Sequence, residues 1–316
     1  MTLCYETVFT SPVSLGETAH VSYSVLHLHG RDTRDFLQRV LTQDVMHLGA
    51  RVAHAGYCDP KGRLFGTMRL WLTGEDGVMM LIPADNADML AKRLRMFVLR
   101  DDVKVDDVTA QYDITAILGN LDAQLSDFDL PRPAAGEAVV SEDGRRHVLM
   151  IESVPPVPGV CTAAARALVL LPKGECAALE GTEAAFWFTE AAAGIPSVWT
   201  ATNGKFVPQQ INLDAIDGVS FTKGCYPGQE VVSRMKHIGR PSRRMFLARA
   251  TSGSTPCPGD TVYSEGAEAG FVVHGATVAG TTLVLVSVLI SAAEKGLSLS
   301  AEGEALEVLP LPYNPE

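Results

Sequence analysis

Cys225 lies two residues after Lys223 and two before Pro227, inside the run KGCYPGQE over residues 223–230. A nearby ammonium and the positive end of a helix both favour a thiolate, so this spacing suits a nucleophile or a ligand-facing thiol. Pro227 fits the first position of a helix, where its missing N–H costs nothing. Glu230 then falls in the first turn, and Arg234, Lys236 and His237 in the last, the charge order a helix dipole favours. Gly239 and Pro241 stop the element, which predicts a helix over 227–238. Gly224 and Gly228 let a ligand approach the backbone closely. The plainer alternative is a small buried cysteine, the commonest fate of a lone thiol. The flanking lysine and helix start favour a functional one.

Upstream, the segment 204–214 carries Gln209, Gln210 and Asn212, each offering a donor and an acceptor. Such amides suit the edge of a heteroaromatic ring, and a loop held by its own amides has the same composition. Downstream, residues 223–249 hold seven Lys/Arg against the single acid Glu230, a window of +6 in a chain of net charge −11. A cationic island beside a thiol points to an anion, whereas the acidic whole argues against general nucleic-acid binding.

These residues need elements to position them. Residues 20–28 alternate like a strand, and Asp32 is placed to cap a helix whose apolar face is Phe36, Leu37, Val40 and Leu41. Residues 64–72 and 78–82 form a hairpin around the turn 74–77. Asp85 opens a second helix with Leu90, Leu94 and Phe97 on one face. Strands follow at 103–105, 114–118, 147–153 and 167–171, then a helix over 183–193 ended by Gly194 and Pro196. After Arg244 the chain turns to short strands separated by glycines, with no room for a helix, which predicts a small all-β barrel. The whole is an α+β pattern without the regular alternation of a doubly wound sheet.

The six cysteines are scattered, with no CxxC pair, which fits neither a zinc or iron–sulfur cage nor a disulfide framework. No metal site is expected. The N-terminus lacks a signal-peptide pattern, and the longest apolar run, 283–290, is too short to span a bilayer. Cytoplasm is the expected compartment, with no membrane partner.

The run KGCYPGQE, with GKFVPQQINLDAIDGVSF before it and VVSRMKHIGRPSRR after it, resembles the signature of the YgfZ-type folate-binding proteins, relatives of the glycine-cleavage T-protein. LHGRDTRDFLQRVLTQDV, YCDPKGRLFGTMRLW and MFVLRDDVKVDDV follow the same family in order and spacing. The resemblance implies a three-lobed aminomethyltransferase-like folate-binding fold, with residues 1–50 plus 110–200 as one lobe. Residues 51–109 plus 201–240 would form a second lobe and 241–316 a C-terminal β-barrel. It implies tetrahydrofolate or a derivative as ligand, and iron–sulfur proteins or their assembly factors as partners. Through them it implies support of tRNA modification without direct nucleic-acid binding. On this resemblance Cys225 is the functional thiol and Lys223 its tuning lysine. Gln209, Gln210, Asn212, Gly224, Tyr226, Gly228, Gln229, Glu230, Arg234 and Arg240 would border the folate.

The aminomethyltransferases carry an acidic pair on the strand where this chain has Gly66 and Thr67. They also carry a glutamate two residues before a glycine, where this chain has Ala192 before Gly194. Both departures point away from catalysis of aminomethyl transfer. A one-carbon transferase using Asp44 or Asp59 instead, or a scaffold that has lost its ligand, are the alternatives.

Overall fold

The computed structural model describes residues 13–14, 23–118, 121–126, 129–156, 163–175, 183–237, 239, 241–250, 255–278, 280–303 and 305–315. The chain begins with β1 (Val13–Ser14), β2 (Tyr23–His29), α1 (Thr33–Val40), β3 (Ala53–Cys58), β4 (Leu64–Leu72) and β5 (Gly77–Pro83). It continues through α2 (Ala84–Phe97), β6 (Lys104–Asp107), β7 (Tyr112–Leu118), α3 (Leu121–Ser126) and β8 (Ala138–Val140). β9 (His147–Val154), β10 (Ala164–Pro172), α4 (Glu183–Ala192) and α5 (Gln229–His237) complete the α+β part.

Two antiparallel five-stranded sheets result, in the orders β3-β4-β5-β2-β6 and β1-β7-β10-β9-β8. This pairing corrects the expected lobes. β2 lies between β5 and β6, so residues 23–29 belong with 53–107 rather than with 110–200. Among the described residues of the first fifty, only β1 joins the other sheet, as the partner of β7. Alternation along β2 tells which face is apolar but not which sheet receives it, and that left the grouping open to error.

α1 forms as its pattern predicts, burying Phe36, Leu37 and Val40. Asp32 does not cap it with its side chain; the carboxylate instead accepts the Asp102 N–H at 2.7 Å. Pro83, not Asp85, occupies the cap position of α2, and Asp85 accepts the Thr200 N–H. Leu90 and Leu94 are fully buried, while Phe97 at the helix end is half-exposed with its ring edge-on to Tyr57.

β4 is covered on both faces, which a period-2 pattern does not announce. Met68 and Leu70 pack with Phe36 and Leu90 beneath the helices. Trp71 and Leu64, on the opposite face, belong to a larger core with Phe186, Trp187 and Phe188 of α4. α4 is apolar around its circumference because it is enclosed by the second sheet and the barrel.

The C-terminal strands β11 (Arg243–Ala250), β12 (Thr261–Ser264), β13 (Ala267–Val278), β14 (Thr281–Leu289), β15 (Leu297–Ser298) and β16 (Ala305–Leu309) close into a barrel, in the order β11-β14-β13-β12-β15-β16. Small and branched residues such as Ala248, Val272, Val284 and Val286 fill it. One departure is the single helical turn α6 (Ile290–Ala293) after β14, in a region expected to lack helix. Closure leaves no free sheet edge, and the barrel docks through polar contacts on the segment 194–214. Arg244 pairs with Asp214 at 2.7 Å, the Ser287 hydroxyl donates to Gln210 O, and His274 Nε2 lies 2.7 Å from Ile195 O.

Candidate functional site

The thiol segment is a loop, and α5 begins only at Gln229, two residues later than Pro227 suggested. Ile238, the expected end of the helix, and Arg240 lie outside the described residues. Cys225 and Gly224 are exposed, whereas Lys223 and Tyr226 on either side are buried. Lys223 turns inward. Its Nζ donates to Leu41 O at 2.8 Å and Gln43 O at 2.7 Å, and burial draws its pKa down to about 8 against the opposing pull of Asp44. It therefore anchors the loop to the 41–43 segment, and its ammonium is not directed at the thiol as expected. Burial pushes the Tyr226 phenol up, with a smaller push from Cys58, and its hydroxyl has no partner among the described residues.

Gly228 fixes the other side of the loop. Its φ is +83°, and a Cβ there would stand 2.5 Å from Gly62 Cα and 2.6 Å from Asp59 O. The loop thus packs backbone-to-backbone on the turn 59–62, whose own Gly62 at φ +75° faces Val231. Gly228→Ala should cost roughly 2 kcal/mol or more, because neither backbone can yield and the left-handed φ disfavours a side chain. Urea unfolding measures the loss, and limited proteolysis should show faster cleavage near Cys225.

The amides are committed to the protein. Gln209 Nε2 donates to Val232 O at 2.7 Å, tying α5 down, while its Oε1 is buried without a partner among the described residues. Gln210 Oε1 caps the Val207 N–H. Asn212 exchanges both amide hydrogen bonds with the Met245 backbone at 2.8 and 3.2 Å, from a left-handed backbone position at φ 56°. Of the two alternatives left by composition, the loop held by its own amides is the one found here. Gln229 Nε2 donates to Gly224 O at 3.3 Å across the loop, and Glu230 stands 3.6 Å from Arg234 on the exposed side of α5.

The basic island is partly neutralised as well. Arg244 and Arg249 are paired with Asp214 and Glu307, and Arg243 donates to Ala269 O at 2.7 Å. Arg234, Lys236 and His237 remain exposed on α5, with Lys236 5.6 Å from the Phe221 ring.

The feature the sequence reading missed is a buried charge cluster between the sheets. Arg69 of β4 reaches Glu190 of α4 through both terminal nitrogens at 2.8 and 2.9 Å, and Glu152 of β9 at 3.0 Å. Arg166 of β10 donates to Glu190 at 2.8 Å and to Thr189 at 2.9 Å. The Tyr23 hydroxyl donates to Glu190, and His54 Nε2 lies 2.6 Å from Glu152. Burial alone would raise the Glu190 carboxyl, but Arg69 and Arg166 outweigh it and hold it below the usual range. Glu152 is likewise held well down against burial, by His54 and Arg69. Arg69 Nε and one terminal nitrogen of Arg166 are buried without partners among the described residues. The available signal was a lone charge inside an apolar run: Arg69 in LFGTMRLWL, Arg166 in AARALVLLP and Glu190 in AAFWFTEAA.

Beside this cluster a narrow cleft opens between the first sheet and the segment after α4. It is lined by Tyr23, His54, Thr67, Arg69, Pro196 and Ser197, and its volume of about 10 Å³ is room for a single water. Thr67 and Arg69 share one face of β4, at the stretch where the aminomethyltransferase pattern has acids. The two possible substitute acids serve local structure. Asp59 Oδ1 accepts the Lys61 and Arg63 N–H groups, and Asp44 accepts from Gln38 and Met46 and bonds His47.

No family model matches the chain. A protein of Serratia proteamaculans (strain 568) called tRNA-modifying protein YgfZ is 30% identical over 308 residues, 92% of this chain and 90% of the relative. A protein of the same description from Enterobacter sp. (strain 638) is 27% identical over 317 residues, 93% and 92% of the two chains. Among solved structures, glycine cleavage system aminomethyltransferase T from Bartonella henselae superposes with a TM-score of 0.69 at 14% identity. That superposition covers 95% of this chain and 84% of the other. It establishes the aminomethyltransferase-like fold, closed barrel included.

Proposed function

The chain belongs to the YgfZ family, and from that premise we propose that it is a reduced-folate-binding accessory protein supporting iron–sulfur enzymes and, through them, tRNA modification. The observation that carries this reading is the exposed Cys225, held between Lys223 anchored on one side and Gly228 packed on the other. A loop fixed at both shoulders presents its thiol outward at low entropic cost, which suits encounter with a partner better than chemistry inside a cleft. Iron–sulfur proteins or their assembly factors are the proposed partners and the cytoplasm the proposed site of action. No helix among the described residues is long and apolar enough to cross a membrane.

Tetrahydrofolate, or a derivative, is the proposed ligand, a reading supported by the aminomethyltransferase-like fold and the YgfZ relatives. The cleft beside Arg69 has room for one water, so the buried, unpartnered Arg69 Nε fits a water or another small acceptor and not a ring. A bound tetrahydrofolate supplies an amine able to carry a one-carbon unit. Gln209, Gln210 and Asn212 enter this proposal as supports of the barrel and α5, not as ligand contacts.

A one-carbon transferase is the second reading. Against it, Glu152 and Glu190 face arginines that keep them ionised and occupied, and Asp44 and Asp59 hold turns. Anaerobic calorimetric titration with tetrahydrofolate tests the proposal, and saturable one-to-one binding is expected. No heat of binding would overturn the folate assignment. Tetrahydrofolate-dependent formation of methylenetetrahydrofolate by the purified protein would favour the transferase instead.

A further inference from the structure

We infer that the tip of the β3–β4 hairpin, with the segments packed on it, is the docking surface of an acidic protein partner, which is brought there onto Cys225. This deepens the proposed encounter of the thiol with a partner and rests on it.

Two stretches distant in sequence meet at that tip. On one flank the end of α2 packs on it, with Arg93 4.1 Å over the Phe65 ring and the Phe97 ring edge-on to Tyr57. On the other, the turn 59–62 supports the thiol loop through Gly228, and Val231 of α5 lies against Gly62. Of the seven large apolar side chains exposed among the described residues, four gather here: Met96, Phe97, Leu99 and Val231. Leu99 is 84% exposed and Met96 75%, more than any of the other five. Apolar side chains clustered inside a polar rim mark an interaction site, where single ones would not.

The rim is cationic. Residues 92–100 carry four Lys/Arg and no acid, and Lys61, Arg63, Arg234 and Lys236 are exposed on the turn and on α5. The acids next to them in the chain are engaged. Asp59 accepts the Lys61 and Arg63 N–H groups, Glu230 stands 3.6 Å from Arg234, and Asp101 pairs with Arg39 at 2.8 Å. In a chain of net charge −11 this rim is a local reversal of sign. It attracts carboxylates and, with its apolar centre, fits a protein face that sets apolar side chains among Asp and Glu. A nucleic acid or an anionic membrane would bring an array of phosphates against the acidic remainder of the molecule, which repels it.

The first test is restoration of iron–sulfur enzyme activity in cells lacking this protein. Leu99→Asp and Arg234→Glu alter the two flanks at exposed side chains. Each is expected to lower restoration at least ~10-fold, at wild-type protein level and melting temperature, as loss of an interface anchor does. Ile290→Asp, a comparable change on the barrel, should restore fully. Should Leu99→Asp lose its cooperative melt, Leu99→Ser takes its place. In the second test the purified protein meets two peptides, each with a cysteine activated as its mixed disulfide with thionitrobenzoate. One peptide flanks that cysteine with Glu and Leu, the other with Lys and Leu. The Cys225 thiolate bonds the peptide sulfur, thionitrobenzoate leaves, and peptide mass mapping reads the adduct at Cys225. The acidic peptide should react at least ~5-fold faster at low ionic strength, and about 1 M salt should abolish the difference. Wild-type restoration by either flank variant overturns the docking surface, and equal or reversed peptide rates overturn its charge preference. Binding of transfer RNA or of phosphatidylglycerol vesicles that Arg234→Glu abolishes would give the face to phosphates and overturn the protein partner. Full restoration by Cys225→Ala would instead overturn the thiol's role, on which the inference rests, whatever the flank variants do.

Discussion

Glu190→Ala is expected to lower the unfolding free energy by about 3–5 kcal/mol, the largest stability effect of any single side chain in the cluster. The carboxylate is fully buried and bonds both Arg69 and Arg166, on strands of the two different sheets. Its removal leaves two guanidinium groups in the interior with no counter-charge but Glu152, which is part-exposed at the edge of the cluster. Leaving a buried charge unpaired dominates the cost, so the loss exceeds what the pair itself contributes. Glu152→Ala, at a side chain about a third exposed, should cost only roughly 1 kcal/mol. The effect has a definite pH signature. Glu190 and Glu152 are held below the ordinary carboxyl range in the folded protein. Their contribution is therefore fully present above the unfolded value of about 4.3 and is lost as pH falls through the depressed folded values. Urea unfolding of wild type and Glu190→Ala from pH 7 down to pH 3 should show the gap between them narrowing with acid. A gap constant over that range would mean that packing of α4, rather than charge pairing, sets the loss.

Such a cluster also marks where a single sequence stops being legible. Short-range patterns carried most of the elements: the Phe36, Leu37 and Val40 face of α1, the hairpin of β4 and β5, the strands that build the barrel. Each of these depends on neighbours within a turn or a pleat. The pairing of β2 with β5 and β6 instead of the other sheet depends on which apolar face meets which, and no local pattern encodes it. Arg69 and Glu190 are separated by 121 positions, so each looked like an isolated charge in an apolar run. The candidate site divides in the same way. That Cys225 is presented at the surface was readable from its flanking Lys223, Gly224 and Gly228. That Lys223 points away from it, to Leu41 and Gln43, was not, because those carbonyls lie some 180 positions upstream. The amides of Gln209 and Asn212 were expected to read a ligand and instead hold Val232 and Met245, partners fixed only when α5 and β11 dock. Polar residues declare that they need partners, and sequence distance hides who the partners are.

Cys225→Ala is expected to abolish the restoration of iron–sulfur enzyme activity, by more than ~10-fold, in cells lacking this protein, with stability unchanged to within ~0.5 kcal/mol. The two halves of that expectation have separate grounds. Stability should hold because the side chain is exposed and the loop takes its shape from other residues. Lys223 bonds two carbonyls, Gly228 packs on Gly62, and Gln229 closes the loop onto Gly224 O. Function should fail because an exposed thiol in a rigid loop contributes nothing to the core that an alanine could not, so its value is chemical. Cys225→Ser sharpens the point: a hydroxyl keeps the size and polarity but is a poor soft-metal ligand and a weaker nucleophile, so it should fail as alanine does. Tetrahydrofolate binding should survive in both variants if the ligand sits away from the loop. Full restoration by Cys225→Ala would remove the thiol from the mechanism and leave the loop a structural strut between the turn 59–62 and α5. Loss of folate binding together with activity would instead put the folate against the loop.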